Sequence, residues 1–295
     1  MRKTAGGSLM IRYLGDNEKE RSEALYRAAF PEDKDAFVKY YYSYVIKDNR
    51  ILVLEQEDEI CSMLHLNPYR QSVQGTVADA YYYVAVATRE DCRHQGMMRK
   101  LLVKSLNDIH TEGQPYTYLM PANRAIYEPF DFRIVYEQKK VELPLDPQKA
   151  NEQMAKMFDI YTVRDDWYVE KMLEEERVCA GDPPFEIVPY IMMRITHVGK
   201  MLELLRSEKP CKVVLDVRDE IIAENHGRFL WEVSDTFSRC TKLADTEETC
   251  TDYVNEVACI GVGIAELTEF VFGKRTIAGL EDVRVLKDIC INEAV

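Results

Sequence analysis

The stretch that most limits how this chain can fold is the run Val77 to Ala87, followed by the polar segment Thr88 to Gln95 and a helix-patterned stretch opened by Gly96. Ala80 to Ala87 is apolar without a break. A strand of that kind is covered on both faces, as in a sheet flanked by helices. Beyond Gly96, Met98, Leu101, Leu102, Leu106 and Ile109 fall on one helical face, and Arg99, Lys100, Lys104 and Asp108 on the other. The spacing predicts a helix ending near Gly113 and Pro115, followed by a short strand over Tyr116 to Met120. A strand, a turn, a helix and a second strand make a βαβ unit.

The surrounding sequence extends the same alternation. Asp16 to Ala29 reads as a helix closed by Pro31, and Phe37 to Ile46 as a second, tyrosine-rich one. Ile51 to Gln56 and Ile60 to Asn67 read as a hairpin turning at Asp58-Glu59. Ala122 to Phe130 reads as loop and short helix, and Ile134 to Leu143 as a strand ended by Pro144 and Pro147. Asn151 to Arg177 is patterned as helix and dense in Asp and Glu, and Gly181-Asp182-Pro183-Pro184 breaks it. Further on, Ile195 to Leu205 reads as helix and Lys212 to Val217 as strand. Ile221 to Asn225 and Gly227 to Val233 read as a hairpin, and Asp252 to Cys259 and Ile264 to Phe272 as helices. The expected class is mixed α/β (α+β).

Composition narrows the function. With 295 residues, two or three domains are expected at roughly 150 residues each. A formal charge of −13 repels phosphate backbones and anionic membranes, so neither nucleic acid nor membrane is an expected partner. The longest apolar run falls far short of the roughly 20 residues that cross a bilayer. Thr4-Ala5-Gly6-Gly7-Ser8 stands where a signal peptide carries its apolar stretch, so the chain is expected to be cytoplasmic. Eight cysteines are scattered with no Cys-x-x-Cys pair and no paired histidines, which points to free thiols and to no metal site.

The chemistry sits where the apolar strand turns into the helix. The first amides of a helix have no acceptor of their own, and the helix dipole adds positive potential there. Arg93 and His94 stand in the turn, and Gly96 lets the backbone approach a ligand closely. A diphosphate suits such a site.

Arg93-His94-Gln95-Gly96-Met97-Met98 resembles the Gln/Arg-x-x-Gly-x-Gly/Ala signature of the GNAT acetyltransferases, with Met98 in place of the small residue. Asn123 to Phe132, with Tyr127 inside it, is similar to their Tyr-x-x-x-Gly-Phe segment, with Asp131 in place of Gly. The resemblance implies acetyl-CoA as co-substrate and a mixed sheet whose central strands splay. It places Val84, Ala85 and Val86 on the pantetheine arm, and Arg93, His94, Gln95, Gly96, Met97, Met98 and Arg99 around the diphosphate. It sets Asn123 and Tyr127 beside the sulfur.

Met97-Met98-Arg99 further resembles the Eis-type (enhanced intracellular survival) subfamily. Met193-Arg194-Ile195 and the stretch Ile221 to Val233 resemble the sterol-carrier-like domain that ends such chains. The expected organisation is a GNAT domain over 1–145, a helical connector over 146–190 and a sterol-carrier-like α+β domain over 191–295. The connector is too short for the second GNAT-like domain of Eis-type chains.

The resemblance implies direct acetyl transfer to a primary amine of a small cationic acceptor, and a possible homo-oligomer. On that resemblance Tyr127 is expected to protonate the leaving thiolate and the terminal carboxylate of Val295 to act as base, with Glu293, Glu128 and His65 as alternatives. The opposing expectation, from the C-terminal resemblance, is an apolar-ligand or lipid-binding protein, or one that senses acetyl-CoA without turnover.

Overall fold

A computed structural model describes residues 9–181, 189–244 and 257–293. The chain begins with β1 (Leu9–Tyr13), α1 (Glu23–Ala29), α2 (Asp35–Ser43), β2 (Arg50–Gln56), β3 (Glu59–Val73) and β4 (Thr76–Thr88). Next come α3 (Met97–Thr111), β5 (Tyr116–Leu119), β6 (Arg133–Glu137), α4 (Pro147–Met157), β7 (Ile160–Thr162), α5 (Asp166–Val178) and β8 (Tyr190–Ile195). The last third holds α6 (Val198–Glu203), β9 (Arg206–Ser207), β10 (Cys211–Arg218), β11 (Gly227–Val233) and β12 (Ser238–Lys242). It closes with β13 (Cys259–Gly263), α7 (Ile264–Val271), β14 (Val283–Arg284) and β15 (Ile289–Cys290).

These elements form two compact units. One gathers Met1–Pro68, Tyr82–Ser105 and Asp165–Pro184, and the other Tyr69–Tyr81, Leu106–Arg164 and Phe185–Val295. In the first, β1, β2, β3 and β4 lie side by side in that order. β2 is antiparallel to both its neighbours, with Leu54 opposite Ile11 and Val53 opposite Met63. Leu52, Val53 and Leu54 have no exposed surface, so both faces of this strand are covered. The hairpin turns at Glu57 and Asp58, both left-handed (φ 54° and 63°), one residue earlier than the sequence suggests. Two positive φ values match the right-handed twist of the strands.

Helical packing in the first unit is aromatic. Tyr26, Tyr41, Tyr42 and His65 form one ring cluster with centroids 5.4–6.5 Å apart. α5 seats on α2 through a stacked Tyr44–Trp167 pair at 4.5 Å and a hydrogen bond from the Tyr40 hydroxyl to Lys171 C=O at 3.1 Å. The helix read over Asp16 to Ala29 divides into a 3-10 turn over Asp16–Ser22 and α1. At the break the Ser22 hydroxyl donates to Lys19 C=O at 2.7 Å, a side-chain competitor for the helix ladder.

The second unit carries two larger sheets. In one, β4, β5, β8 and β6 are successive neighbours, and β8 is antiparallel to both β5 and β6. β7 pairs antiparallel with the end of β3 and parallel with β15. The other sheet runs β12-β11-β10-β13, and β9 pairs with β14. Trp231 of β11 is wholly buried, donating its indole N–H to Ser238 Oγ at 2.9 Å, while Ser238 donates to Leu202 C=O at 2.8 Å.

Several boundaries differ from the sequence reading. The stretch Asn151 to Arg177 is broken by β7, whose Ile-Tyr-Thr composition favours strand. β6 stops at Glu137 instead of continuing to Leu143. The stretch opening at Ile195 ends a strand there, and α6 starts only after His197, whose Nδ1 accepts from Lys200 N–H at 3.2 Å. Ile221 to Asn225 is not a strand, and β11 finds its partner in β10, with Leu230 opposite Val214. Most of the helix expected over Asp252 to Cys259 lies outside the described residues, and Cys259 begins β13. Among the described residues no helix is long and apolar enough to cross a membrane.

α3 is the best-specified helix. Its buried face is Met97, Leu101, Leu102, Ser105, Leu106 and Ile109, with Met98 only half-buried. Gly113 (φ 76°) ends it, its N–H bonded to His110 C=O and Gln114 N–H to Ile109 C=O, a Schellman closure. Leu102→Ala, at a site with no exposed surface, is expected to destabilise the protein by about 2–5 kcal/mol in urea unfolding. Lys100→Ala on the exposed face should stay within about 0.5 kcal/mol.

Candidate active site

The turn between β4 and α3 is held from below by Cys92, which is buried. Cys92 N–H bonds to Arg89 C=O at 2.9 Å, closing a 3-10 turn over Glu90–Cys92, and Arg89 N–H bonds to Cys61 C=O at 2.9 Å. Burial and the neighbouring Cys61 push the Cys92 thiol up to about 11, so it stays a neutral anchor. The chain then reverses through two left-handed residues, His94 (φ 61°) and Gly96 (φ 73°). Two side chains knit the reversal, Arg93 Nε to Thr88 C=O and Gln95 Nε2 to Asp91 C=O, each at 3.3 Å.

The first ladder bond of α3 runs from Lys100 N–H to Gly96 C=O at 3.1 Å. The amides of Met97, Met98 and Arg99 precede it, so their own helix offers them no acceptor. A Cβ placed on Gly96 meets nothing within 4 Å, and Arg93 to Gly96 are exposed. The exposed turn Arg93 to Gly96 thus leads into N–H donors at the positive end of a helix, with Arg93 in its rim. A diphosphate fits it.

Upstream, Ala85 in β4 has a left-handed backbone (φ 51°). For a residue with a Cβ inside a strand this is strained and departs from the extended backbone on either side of it. Val84 and Ala85 are buried and Val86 half-buried. The structure thus brings Val84 to Val86 and Arg93 to Arg99 into one strand, turn and helix start of the first unit.

Asn123 and Tyr127 lie in the second unit. Asn123 Oδ1 accepts from Ala125 N–H at 3.0 Å and so caps the 3-10 turn Arg124–Ile126. A second 3-10 turn, Glu128–Phe130, follows Tyr127, and Asp131 closes it in the left-handed region (φ 64°). That backbone explains why the resembled motif carries Gly here, and Asp is among the residues that tolerate the region. The Tyr127 ring meets Phe132 edge-on at 6.0 Å, and burial pushes its hydroxyl up to about 12.

The loop is clamped by cations. Arg133 donates to Glu128 C=O at 3.2 Å and to Phe132 C=O at 2.9 Å. Arg194 of β8 donates Nε–H to Phe130 C=O, Nη1 to Ile195 C=O and Nη2 to Asp219 Oδ1, all at 2.8 Å. Arg194 and Asp219 are both wholly buried. Asp219 Oδ1 also accepts from the amides of Ile221 at 2.9 Å and Ile222 at 3.0 Å, and Oδ2 from Asn225 Nδ2 at 3.1 Å. Nothing in the sequence reading nominated Arg194 for this loop. Its one signal is a cation in the middle of an otherwise apolar strand, Ile191 to Ile195.

Of the candidate bases, Val295 lies outside the described residues. His65 is wholly buried, its Nδ1 2.9 Å from the Tyr41 hydroxyl, and burial pushes it down to about 3. An imidazole that weak does not deprotonate an ammonium. Glu128 is exposed and lies 3.5 Å from Arg124. Glu293 is buried, and its charge helps burial to hold the Tyr116 hydroxyl well above the ordinary phenol range. Burial also raises Tyr26, Tyr40, Tyr41 and Tyr42, and brings Tyr44 and Tyr136 up to about 12.

These raised phenols predict alkaline lability. In the unfolded chain they lose their protons near the ordinary pKa of about 10. The folded chain holds Tyr44, Tyr127 and Tyr136 neutral to about 12. Their contribution to stability is therefore complete below pH ~10 and is lost as pH climbs toward 12. A spectrophotometric titration should show these tyrosines ionising well after those of the urea-unfolded chain; coincident curves would contradict the burial described.

Residues 10–135 match the acetyltransferase (GNAT) domain family, and residues 198–293 the sterol carrier protein domain family. A search of the curated proteins finds no match. Among solved structures, the fold is similar over most of the chain to a conserved protein of unknown function from Enterococcus faecalis. That likeness has 12% identity, 94% of each chain covered and a TM-score of 0.70. It is also similar to Eis1 from Mycobacterium abscessus, with 13% identity, 96% of this chain and 99% of that one covered, and a TM-score of 0.65. A GCN5-related N-acetyltransferase from Kribbella flavida gives 11% identity, 92% and 91% coverage and a TM-score of 0.65. At these identities the likenesses speak for the fold. The family matches give the chain an acetyltransferase (GNAT) domain over residues 10–135, and with it N-acetyltransferase activity, and a sterol carrier protein domain over residues 198–293.

Proposed function

We propose that the chain moves an acetyl group from acetyl-CoA directly to the primary amine of a small cationic acceptor. The observation that carries this reading is the start of α3, where the exposed left-handed residues His94 and Gly96 lead into amides that their own helix leaves without acceptors, after a strand that holds Ala85 in the left-handed region. There the amides of Met97, Met98 and Arg99, with Arg93, His94 and Gln95, hold the diphosphate. The backbone of Val84, Ala85 and Val86 aligns the pantetheine arm. The net charge of −13 raises the local concentration of a cationic amine.

Tyr127 is the proposed acid. The neutral amine attacks the thioester carbonyl, the carbon–sulfur bond breaks with its electron pair on sulfur, the Tyr127 O–H supplies the proton that makes the free thiol, and the proton shed by the acylated nitrogen, passed through water, restores the phenol. Holding amine and thioester in line supplies much of the rate enhancement. The resemblance to the GNAT acetyltransferases supports the same assignment through the segment Asn123 to Phe132.

The opposing reading, an apolar-ligand protein, has in the second unit a cleft of about 730 Å³, but Lys274, Arg275, Glu281 and Lys287 line it beside Phe270 and Leu280, which favours a polar guest over an apolar one. Thermal unfolding separates the two. Acetyl-CoA at 100 times its Kd is expected to stabilise the protein by about 2.7 kcal/mol. A shift with fatty acids and none with acetyl-CoA would favour the cleft.

Tyr127→Phe is expected to lower kcat by roughly 10²–10⁴-fold, the usual range for loss of a general acid, while leaving the acetyl-CoA Kd nearly unchanged. The rate is read as free-thiol release across a panel of primary amines. Equal kcat in the two proteins would remove Tyr127 from the mechanism.

A further inference from the structure

Arg194 and Asp219 are an ion pair with no exposed surface, 2.8 Å apart. The arginine is flanked along β8 by Ile191, Met192, Met193 and Ile195, all at 0% exposure. A cation in such a strand is costly to bury unless every donor is used, and an apolar residue would complete the strand at less expense. What the arginine does that an apolar residue cannot is donate to three separate oxygens from one rigid plane. One of these is Phe130 C=O, 64 residues away in sequence, at the end of the turn that directly follows Tyr127. Phe130 N–H in turn donates to Tyr127 C=O at 2.9 Å.

We propose that Arg194 is the positioning residue for the Tyr127 hydroxyl, and that the C-terminal domain serves the transfer by supplying, through Asp219, the counter-charge that lets this arginine lie buried. The inference rests on the reading of Tyr127 as the acid. Asp219 is itself fixed by the Ile221 and Ile222 amides and by Asn225, so it is a rigid anchor. The Asn225 side chain carries the restraint onward, donating to Thr196 C=O at 3.0 Å and accepting from Val198 N–H at 3.0 Å. The loop bearing the acid is thus tied to residues on both sides of α6's start.

The test is the charge-neutral pair Arg194→Met with Asp219→Asn. It leaves no unpaired ion, and the asparagine oxygen can still accept from the two amides, so the protein is expected to fold. Without the tether to Phe130, kcat should fall by about 10²-fold, the usual cost of misplacing a catalytic group by an ångström. The KM for acetyl-CoA should change by less than about threefold, because uniform binding is untouched.

The decisive readout is non-additivity. In a Tyr127→Phe background the same pair should cost less than about twofold more, since a residue acting through Tyr127 has nothing left to position. Should the double variant not fold, Arg194→Lys replaces it. It keeps the charge against Asp219 but not the planar fork, and the same non-additive loss of kcat is expected. If the folded variant keeps kcat within twofold of the parent, or its loss persists in full in Tyr127→Phe, the inference is overturned. If Tyr127→Phe itself is fully active, the acid reading has failed instead, and the two failures are told apart.

Discussion

A helix cannot satisfy its own first amides, and the chemistry proposed for this protein depends on where that deficit is placed. At the start of α3 it is placed in the open. Cys92 anchors the preceding turn from beneath, His94 and Gly96 reverse the chain in left-handed conformations, and the amides that follow have no acceptor in their own helix. The buried face of α3, from Met97 to Ile109, fixes the helix in position. A strain of this kind is tolerable only because the strand before it and the helix after it are so well packed that the turn has no alternative path.

The same logic explains which parts could be read from residues alone. Periodicity specifies elements that bury one face against a whole layer, so β4, α3 and the β10–β11 region are legible as strands and helix. It errs by one position where two faces compete: Met98 looks apolar and helical, yet Met97 is the one buried. β7 is missed because three residues between charged helices are too few to show a period. The left-handed backbone of Ala85 leaves no trace in composition, since nothing in an Ala side chain asks for it.

Arg194 was invisible as a site residue for a different reason. Its partners, Phe130 and Asp219, lie 64 and 25 residues away, and a buried ion pair is a property of three segments meeting, not of any one of them. The only local sign is the mismatch of a cation within an apolar strand. Such mismatches are where a sequence departs from its own fold rules, and they are the places to look for function.

The raised Tyr127 hydroxyl also bears on how an acid can work here. A phenol at about 12 facing a thiolate of ordinary basicity, about 8.5, would hold its proton against an uphill transfer of several pKa units. Desolvation does not act on the phenol alone, however. The Cys240 thiol is pushed up to about 12 by burial, with Glu203 adding a smaller push, so desolvation in this protein can raise a thiol as far as a phenol. A thiolate released beside Tyr127 would be desolvated with it. On the proposed reading, the burial that raises the Tyr127 hydroxyl would also raise a thiolate leaving in the same surroundings and so bring the two proton affinities closer together.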